Sequence, residues 1–144
     1  MITGIDHVQV AAPPGCEPAA RAFYGGLLEL AEVNKPEALA ARGGCWFAVG
    51  GQQLHVGVAQ PFTPSAKAHP ALDAGDKAVL ETLAARLQAA GYTVQWDDVI
   101  AGTARFYVHD PFGNRLELVA RGKAASGSTP VAKSSATAAR SPVA

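Results

Sequence analysis

Three of the chain's four histidines and one glutamate fall at a matched interval. His7 and His55 are 48 residues apart, and so are His69 and Glu117. Each member sits in a strand-like run: "IDHVQV", "QLHVGV", "AHPALDA" and "RLELVA". Side chains two apart on a strand share a face. In 53–59, Leu54, Val56 and Val58 point one way and His55 the other, with Gln53 and Gly57. In 114–120, Leu116, Leu118 and Ala120 point one way and Glu117 the other. In the first strand, His7 and Gln9 lie opposite Val8 and Val10. Any one of these residues alone reads as an ordinary strand side chain, and His69, just before Pro70, could face solvent. The matched set reads as a metal site. Imidazole and carboxylate donors suit a divalent transition ion: Zn, Ni, Mn, Co or Fe. Two or three His with one carboxylate leave coordination positions open, as a catalytic or ligand-binding site requires.

Other candidates lie on the same expected surface. In "TARFYVH", Phe106 and Val108 share one face, so Arg105 and Tyr107 take the other and can touch an oxygen-rich or anionic ligand. With Glu117 they form the candidate catalytic set. His109 adjoins the Asp110–Pro111 turn and is read as structural. Trp46, Phe47 and Trp96 are read as core or cleft wall. Cys45 has no base beside it in sequence, so no nucleophilic role is expected.

The elements that must position these residues repeat. The first pass predicts a strand at 4–11 ended by "PPG", and a helix over about 17–29 weakened by Gly25–Gly26. A short strand near 31–34 follows, then strands at 45–49 and 53–59 joined at Gly50–Gly51. The second pass predicts a strand at 68–74 and a helix capped by Asp76. That helix carries Leu80, Leu83 and Leu87 and is stopped by Gly91. "YTVQW" is a further strand, and "TARFYVH" and "RLELVA" pair across "DPFGN". The order is strand–helix–strand–strand–strand, twice, in modules of about 1–60 and 66–120. Neither half can bury its sheet alone, so the two must pack together, in one chain or across a dimer.

Bulk composition narrows the classes. The chain has 144 residues, 49% of them apolar, enough for one domain with a sizeable core. No apolar run approaches a membrane span, and no basic-then-apolar leader opens the chain. Two cysteines make no disulfide framework, so a reducing cytoplasmic setting is expected. Residues 121–144 hold four basic side chains and no acid, leaving 1–120 with eight basic and twelve acidic residues. That balance argues against a nucleic-acid partner. The segment 121–144 has no aromatic, Leu or Ile and reads as a flexible low-complexity tail after a domain of 1–120.

The segments "GIDHVQV", "ARAFYGGLLEL", "AHPAL", "LAARLQAAGYTV" and "FYVHDPFGNRLELV" together resemble the vicinal oxygen chelate superfamily of glyoxalases, bleomycin-resistance proteins, fosfomycin enzymes and extradiol dioxygenases. The resemblance implies an α+β fold. Two tandem βαβββ modules would form a curved, incompletely closed sheet with helices outside and a metal-binding cleft. It implies metal ligands in the first and last strands of each module, here His7, His55, His69 and Glu117. It further implies Lewis-acid chemistry on two neighbouring oxygens of a small substrate, with Glu117 able to act as a base on partial dissociation. Where glyoxalase I usually carries a glutamate in the last strand of the first module, this chain has His55, which points away from lactoylglutathione. The expected function is a glyoxalase-like isomerase, lyase or transferase, working as a homodimer. The alternatives are a metal-free drug- or metabolite-binding resistance protein and an Fe(II) extradiol dioxygenase.

Overall fold

The computed structural model describes residues 1–122. Two four-stranded mixed sheets form its frame, ordered β1-β4-β3-β2 and β5-β8-β7-β6. The first sheet contains β1 (His7–Ala12), β2 (Glu32–Val33), β3 (Cys45–Val49) and β4 (Gln52–Val58). The second contains β5 (Ala71–Asp73), β6 (Gln95–Asp97), β7 (Thr103–His109) and β8 (Arg115–Arg121). In each, the first strand of the module pairs parallel with the last, and the last three form an antiparallel meander. Neither sheet closes, so the fold is α+β with two tandem βαβββ modules, as expected.

The helices show how local chemistry seats the sheets. In the first module, α1 (Glu17–Ala20) has Pro18 in its first turn, where a missing N–H costs nothing, and Glu17 beside the positive end of the helix. It widens into a π-helical segment, Arg21–Leu27, that takes in Gly25 and Gly26. The helix therefore stops at Leu27, two residues before the expected end, and Glu29 turns the chain out with φ 57°. A short α2 (Glu37–Ala40), absent from the sequence reading, sits in the loop before β3. In the second module, Asp76 accepts from the Ala78 amide at 2.6 Å and starts α3 (Lys77–Ala89). Gly91, at φ 91°, ends it while Tyr92 N–H bonds back to the Leu87 carbonyl.

A single core joins the modules. Phe23 and Tyr24 of the first helix, Phe47 and Leu54 of the first sheet, Leu80 and Leu87 of α3, and Phe106 and Leu116 of the second sheet belong to one buried cluster. Of the expected α3 stripe, Leu80 and Leu87 are buried, Leu83 packs at the edge and Ala84 takes the central place. Trp96 leaves the expected core and is 46% exposed, packing edge-on against Phe106.

Three strand boundaries differ from expectation. The 68–74 strand shrinks to Ala71–Asp73, because Pro70 has no N–H and Ala68 bonds to the Ser65 hydroxyl instead. The strand expected at 92–96 begins only at Gln95, since Tyr92 and Val94 pack on the core. The last strand runs through Arg121, paired with Thr103, so the chain is still in the sheet where the tail was expected to begin. The rest of the expected tail lies outside the described residues. Cys16 and Cys45 are free and buried. Among the described residues no helix is long and apolar enough to cross a membrane.

Candidate metal centre

Register places His7, His55 and Glu117 on the polar faces of their sheets. In the first sheet, Val10, Leu54, Val56, Cys45 and Phe47 face the core, which turns His7, Gln9, Gln53, His55 and Trp46 the other way. The His7 and His55 rings stack at 4.2 Å between centroids. Trp46 stacks on His55 at 3.8 Å and almost parallel. His7 Nδ1–H donates to Asp6 Oδ1 at 2.7 Å and His55 Nε2–H to Gln53 Oε1 at 2.8 Å. Each bond fixes one ring nitrogen as donor and leaves the other with a lone pair, the arrangement a ligating histidine needs. Burial, and next to it the neighbouring His7, push the His55 imidazole below its ordinary pKa. Neutral imidazole is the ligating form.

The second sheet builds a different pair. His69 lies in the extended segment before β5, and Glu117 points to the same side from β8. His69 Nε2 and Glu117 Oε2 are 3.2 Å apart. His69 Nδ1 faces the Lys67 carbonyl oxygen at 2.8 Å, and a carbonyl can only accept, so the proton is on Nδ1. In neutral His69 the bare Nε2 then confronts a carboxylate oxygen. Two acceptors at that distance need a cation between them, either a proton or a metal. Two donors bound at roughly 2.1 Å to one ion stand about 3 Å apart. The donor chemistry of this pair therefore fits a divalent metal.

Around Glu117 the predicted Arg105 and Tyr107 are in place. Tyr107 is the cross-strand partner of Glu117 and meets the His69 ring edge-on at 5.5 Å. Arg105 Nη1 is 3.4 Å from Glu117 Oε1, and its Nη2 donates to Asp97 Oδ1 at 3.0 Å. Hydrogen bonding from the Val99 amide, then from Arg105, holds the Asp97 carboxyl below its usual range. Arg115 lies over the Tyr107 ring at 4.0 Å. His109 is exposed at the end of β7.

Within one chain the ligands meet as two pairs, His7 with His55 and His69 with Glu117. Among the described residues, no group of three or more His, Cys, Asp or Glu side chains comes together to hold a metal ion. A cleft of about 910 Å³ between the open edges of β1 and β5 is lined by His7, Gln9, His69, Asp73 and Arg115 among others.

Comparison with known proteins decides the family. A glyoxalase-family protein from Bacillus anthracis has a solved structure that is 49% identical, with TM-score 0.79, covering 84% of this chain and 97% of that one. The chain belongs to the glyoxalase family. That family lies within the vicinal oxygen chelate superfamily, so the resemblance read from the motifs holds. Two more distant structures share the fold. One is a lactoylglutathione lyase from Agrobacterium tumefaciens, 23% identical, TM-score 0.65, covering 83% of this chain and 94% of that chain. The other is a glutamate-to-glutamine mutant of the fosfomycin resistance protein FosX from Listeria monocytogenes, complexed with Mn(II) and 1S,2S-dihydroxypropylphosphonic acid. It is 17% identical, TM-score 0.70, covering 85% of this chain and 95% of that chain. No protein-family model and no curated protein sequence matches the chain.

Sequence reasoning assigned no role to several neighbours of the candidate ligands. Asp6 and Gln53 orient the histidines, and Asp97 and Arg115 anchor Arg105 and Tyr107. Asp6 and Gln53 carried a weak signal, being within two residues of a ligand. Asp97 reaches Arg105 only through the β6–β7 register, which no local pattern announces.

Proposed function

We propose that this chain is a metal-dependent enzyme of glyoxalase type acting on a small substrate with two neighbouring oxygens, by isomerase, lyase or transferase chemistry. The carrying observation is the His69–Glu117 pair, which sets an imidazole nitrogen and a carboxylate oxygen 3.2 Å apart, a spacing that fits two ligands of one ion. His7, His55, His69 and Glu117 would hold a divalent ion, which when bound supplies Lewis-acid stabilisation of charge developing on the substrate oxygens. The chain's own residues do the rest. Asp6, Gln53 and the Lys67 carbonyl keep the ligating nitrogens bare. Arg105 steadies Glu117 with its charge, and Tyr107 offers a hydroxyl on the same face. Glu117, once freed on one oxygen, can accept a proton from the substrate carbon or water. The Mn(II) and diol ligand of the FosX structure, and the presence of a lactoylglutathione lyase among the structural neighbours, support this class of chemistry.

The site is completed by a second copy of the chain. Two ligands on each sheet are half of a four-ligand set, and among the described residues of one chain no three of them come together. Face-to-face association would set the first sheet of one copy against the second sheet of the other. The test is complementation. A His7→Ala/His55→Ala chain and a His69→Ala/Glu117→Ala chain each bind no metal alone. Mixed and refolded together, they regain one Mn(II) or Zn(II) per heterodimer, read by elemental analysis after gel filtration. Failure of the mixture to bind metal, with wild type binding it, rejects the shared site. Wild type that binds none of Zn, Ni, Mn, Co or anaerobic Fe(II) rejects the metal reading.

A further inference from the structure

The loop between β2 and β3 carries Lys35 and Arg42 on either side of α2. With Leu39, Trp46, Gln9 and Gly57 they line a separate pocket of about 230 Å³ on the polar face of the first sheet. We propose that this pocket is an anion subsite that takes a carboxylate, phosphonate or phosphate group of the substrate between Lys35 and Arg42. The substrates would then be small anions whose neighbouring oxygens reach His7 and His55. This last step rests on the proposed metal site; the anion binding itself does not.

Several observations carry it. Neither cation is paired with a carboxylate among the described residues, unlike Arg105, which is shared by Asp97 and Glu117. Lys35 Nζ donates to the Gly43 carbonyl oxygen, a contact that fixes its place in the wall without neutralising it. The Glu17 carboxylate, the acid whose charge reaches Lys35, accepts from the Gly44 amide at 2.8 Å.

The pocket also abuts the candidate ligands. Its wall Trp46 is the ring stacked on His55, and Gln9 is the cross-strand partner of His55. The Gln9 amide lies directly over Gly57, where a Cβ would stand 2.5 Å from Gln9 Nε2, so glycine lets that amide sit in the pocket wall. A group seated here has a planar guanidinium able to grip two oxygens, an ammonium, and a neutral amide donor. It also rests against an indole face that excludes water from one side. Removing one charged hydrogen-bond donor from such a group costs about tenfold in affinity.

Trp46 is the local reporter. The chain has two tryptophans, so Trp96→Phe leaves Trp46 alone. In chelator-treated Trp96→Phe protein at constant ionic strength, inorganic phosphate is expected to give a saturable change in Trp46 emission. Lys35→Gln and Arg42→Gln should each raise the apparent Kd about tenfold, and the double variant should abolish the response. Gly57→Ala, which displaces the Gln9 amide from its place over Gly57, should weaken it, whereas Arg42→Lys should retain most of it. Circular dichroism confirms that each variant is folded. No saturable response in wild type, or an unchanged one in the folded double variant, overturns the subsite. Titration of the same proteins with Mn(II) keeps the two readings apart. Metal binding retained by a double variant that has lost the phosphate response supports the subsite. A phosphate response dependent on Lys35 and Arg42 in a protein that binds no metal upholds the subsite and removes the metal centre.

Discussion

The two modules share a topology and a 48-residue spacing of candidate ligands, yet they hold those side chains by different means. In the first, His55 is buried beneath Trp46 and stacked on His7, and aromatic contact does the positioning. In the second, ions do it: Glu117 lies between His69 and Arg105, and Arg105 is anchored by Asp97. The hairpin turns differ as well. Gly50–Gly51 is exposed, and a Cβ added at either would meet open space. Asp110 and Asn114 of the corresponding turn are buried and tie the modules together. Asp110 accepts from the Tyr24 hydroxyl at 2.7 Å and from the amides of Phe112 and Asn114. The Asn114 side chain donates to the Ala11 carbonyl of β1. The duplicated feature is the backbone path. The second module has become the one that carries both the charge and the connection between halves.

The largest effect should come from the turns. Asp110→Ala leaves several buried donors unpaired and should destabilise by about 4 kcal/mol. Gly50→Ala should cost only about 1 kcal/mol, for a residue with a Cβ at positive φ. Urea unfolding of both measures the contrast, and equal costs would erase it. Next come the ligands. Glu117→Gln should lower Mn(II) affinity at least about 100-fold and His55→Ala about tenfold, because only the former removes charge from the donor set. Calorimetric titration gives both values, and a larger loss from His55→Ala would invert the ranking of the modules.

Tyr24→Phe tests the tie between them. Burial, then the Asp110 charge, push the Tyr24 phenol well above its ordinary pKa, so it is a neutral donor throughout the working range. Its loss should cost about 1.5 kcal/mol in urea unfolding. The smallest effect concerns pH. The Gly44 amide holds the Glu17 carboxyl below its usual value. A carboxyl with a depressed folded pKa stabilises above its unfolded pKa and ceases to do so as pH falls through the folded one. Wild type should therefore lose about 1 kcal/mol relative to Glu17→Gln between about pH 5 and pH 3. Thermal unfolding across that range shows parallel curves if the Glu17–Gly44 bond is absent.

Most strand positions were legible because alternation is a local property. Cys45–Val49 and Thr103–His109 are bounded as expected, and the face shared by Arg105, Tyr107 and Glu117 follows from period two alone. The misjudged boundaries lie where a neighbour overrode the local pattern. The first helix widens and ends early over Gly25–Gly26, and the strand before Asp76 is cut to three residues by Pro70. Trp96 reads as core by residue type but sits on an edge strand, where β6 has no partner on its outer side.

Sequence alone determined which four side chains are candidate donors and which face of each strand they occupy, because alternation and spacing are properties of the covalent chain. Tertiary structure decided how they are grouped: His7 with His55, His69 with Glu117, and no third member for either pair among the described residues. That grouping depends on which sheet edges meet and which stay open, and on buried ties such as Tyr24 to Asp110 across 86 residues. Such contacts form between segments that no local periodicity links, so only the packed molecule can choose them.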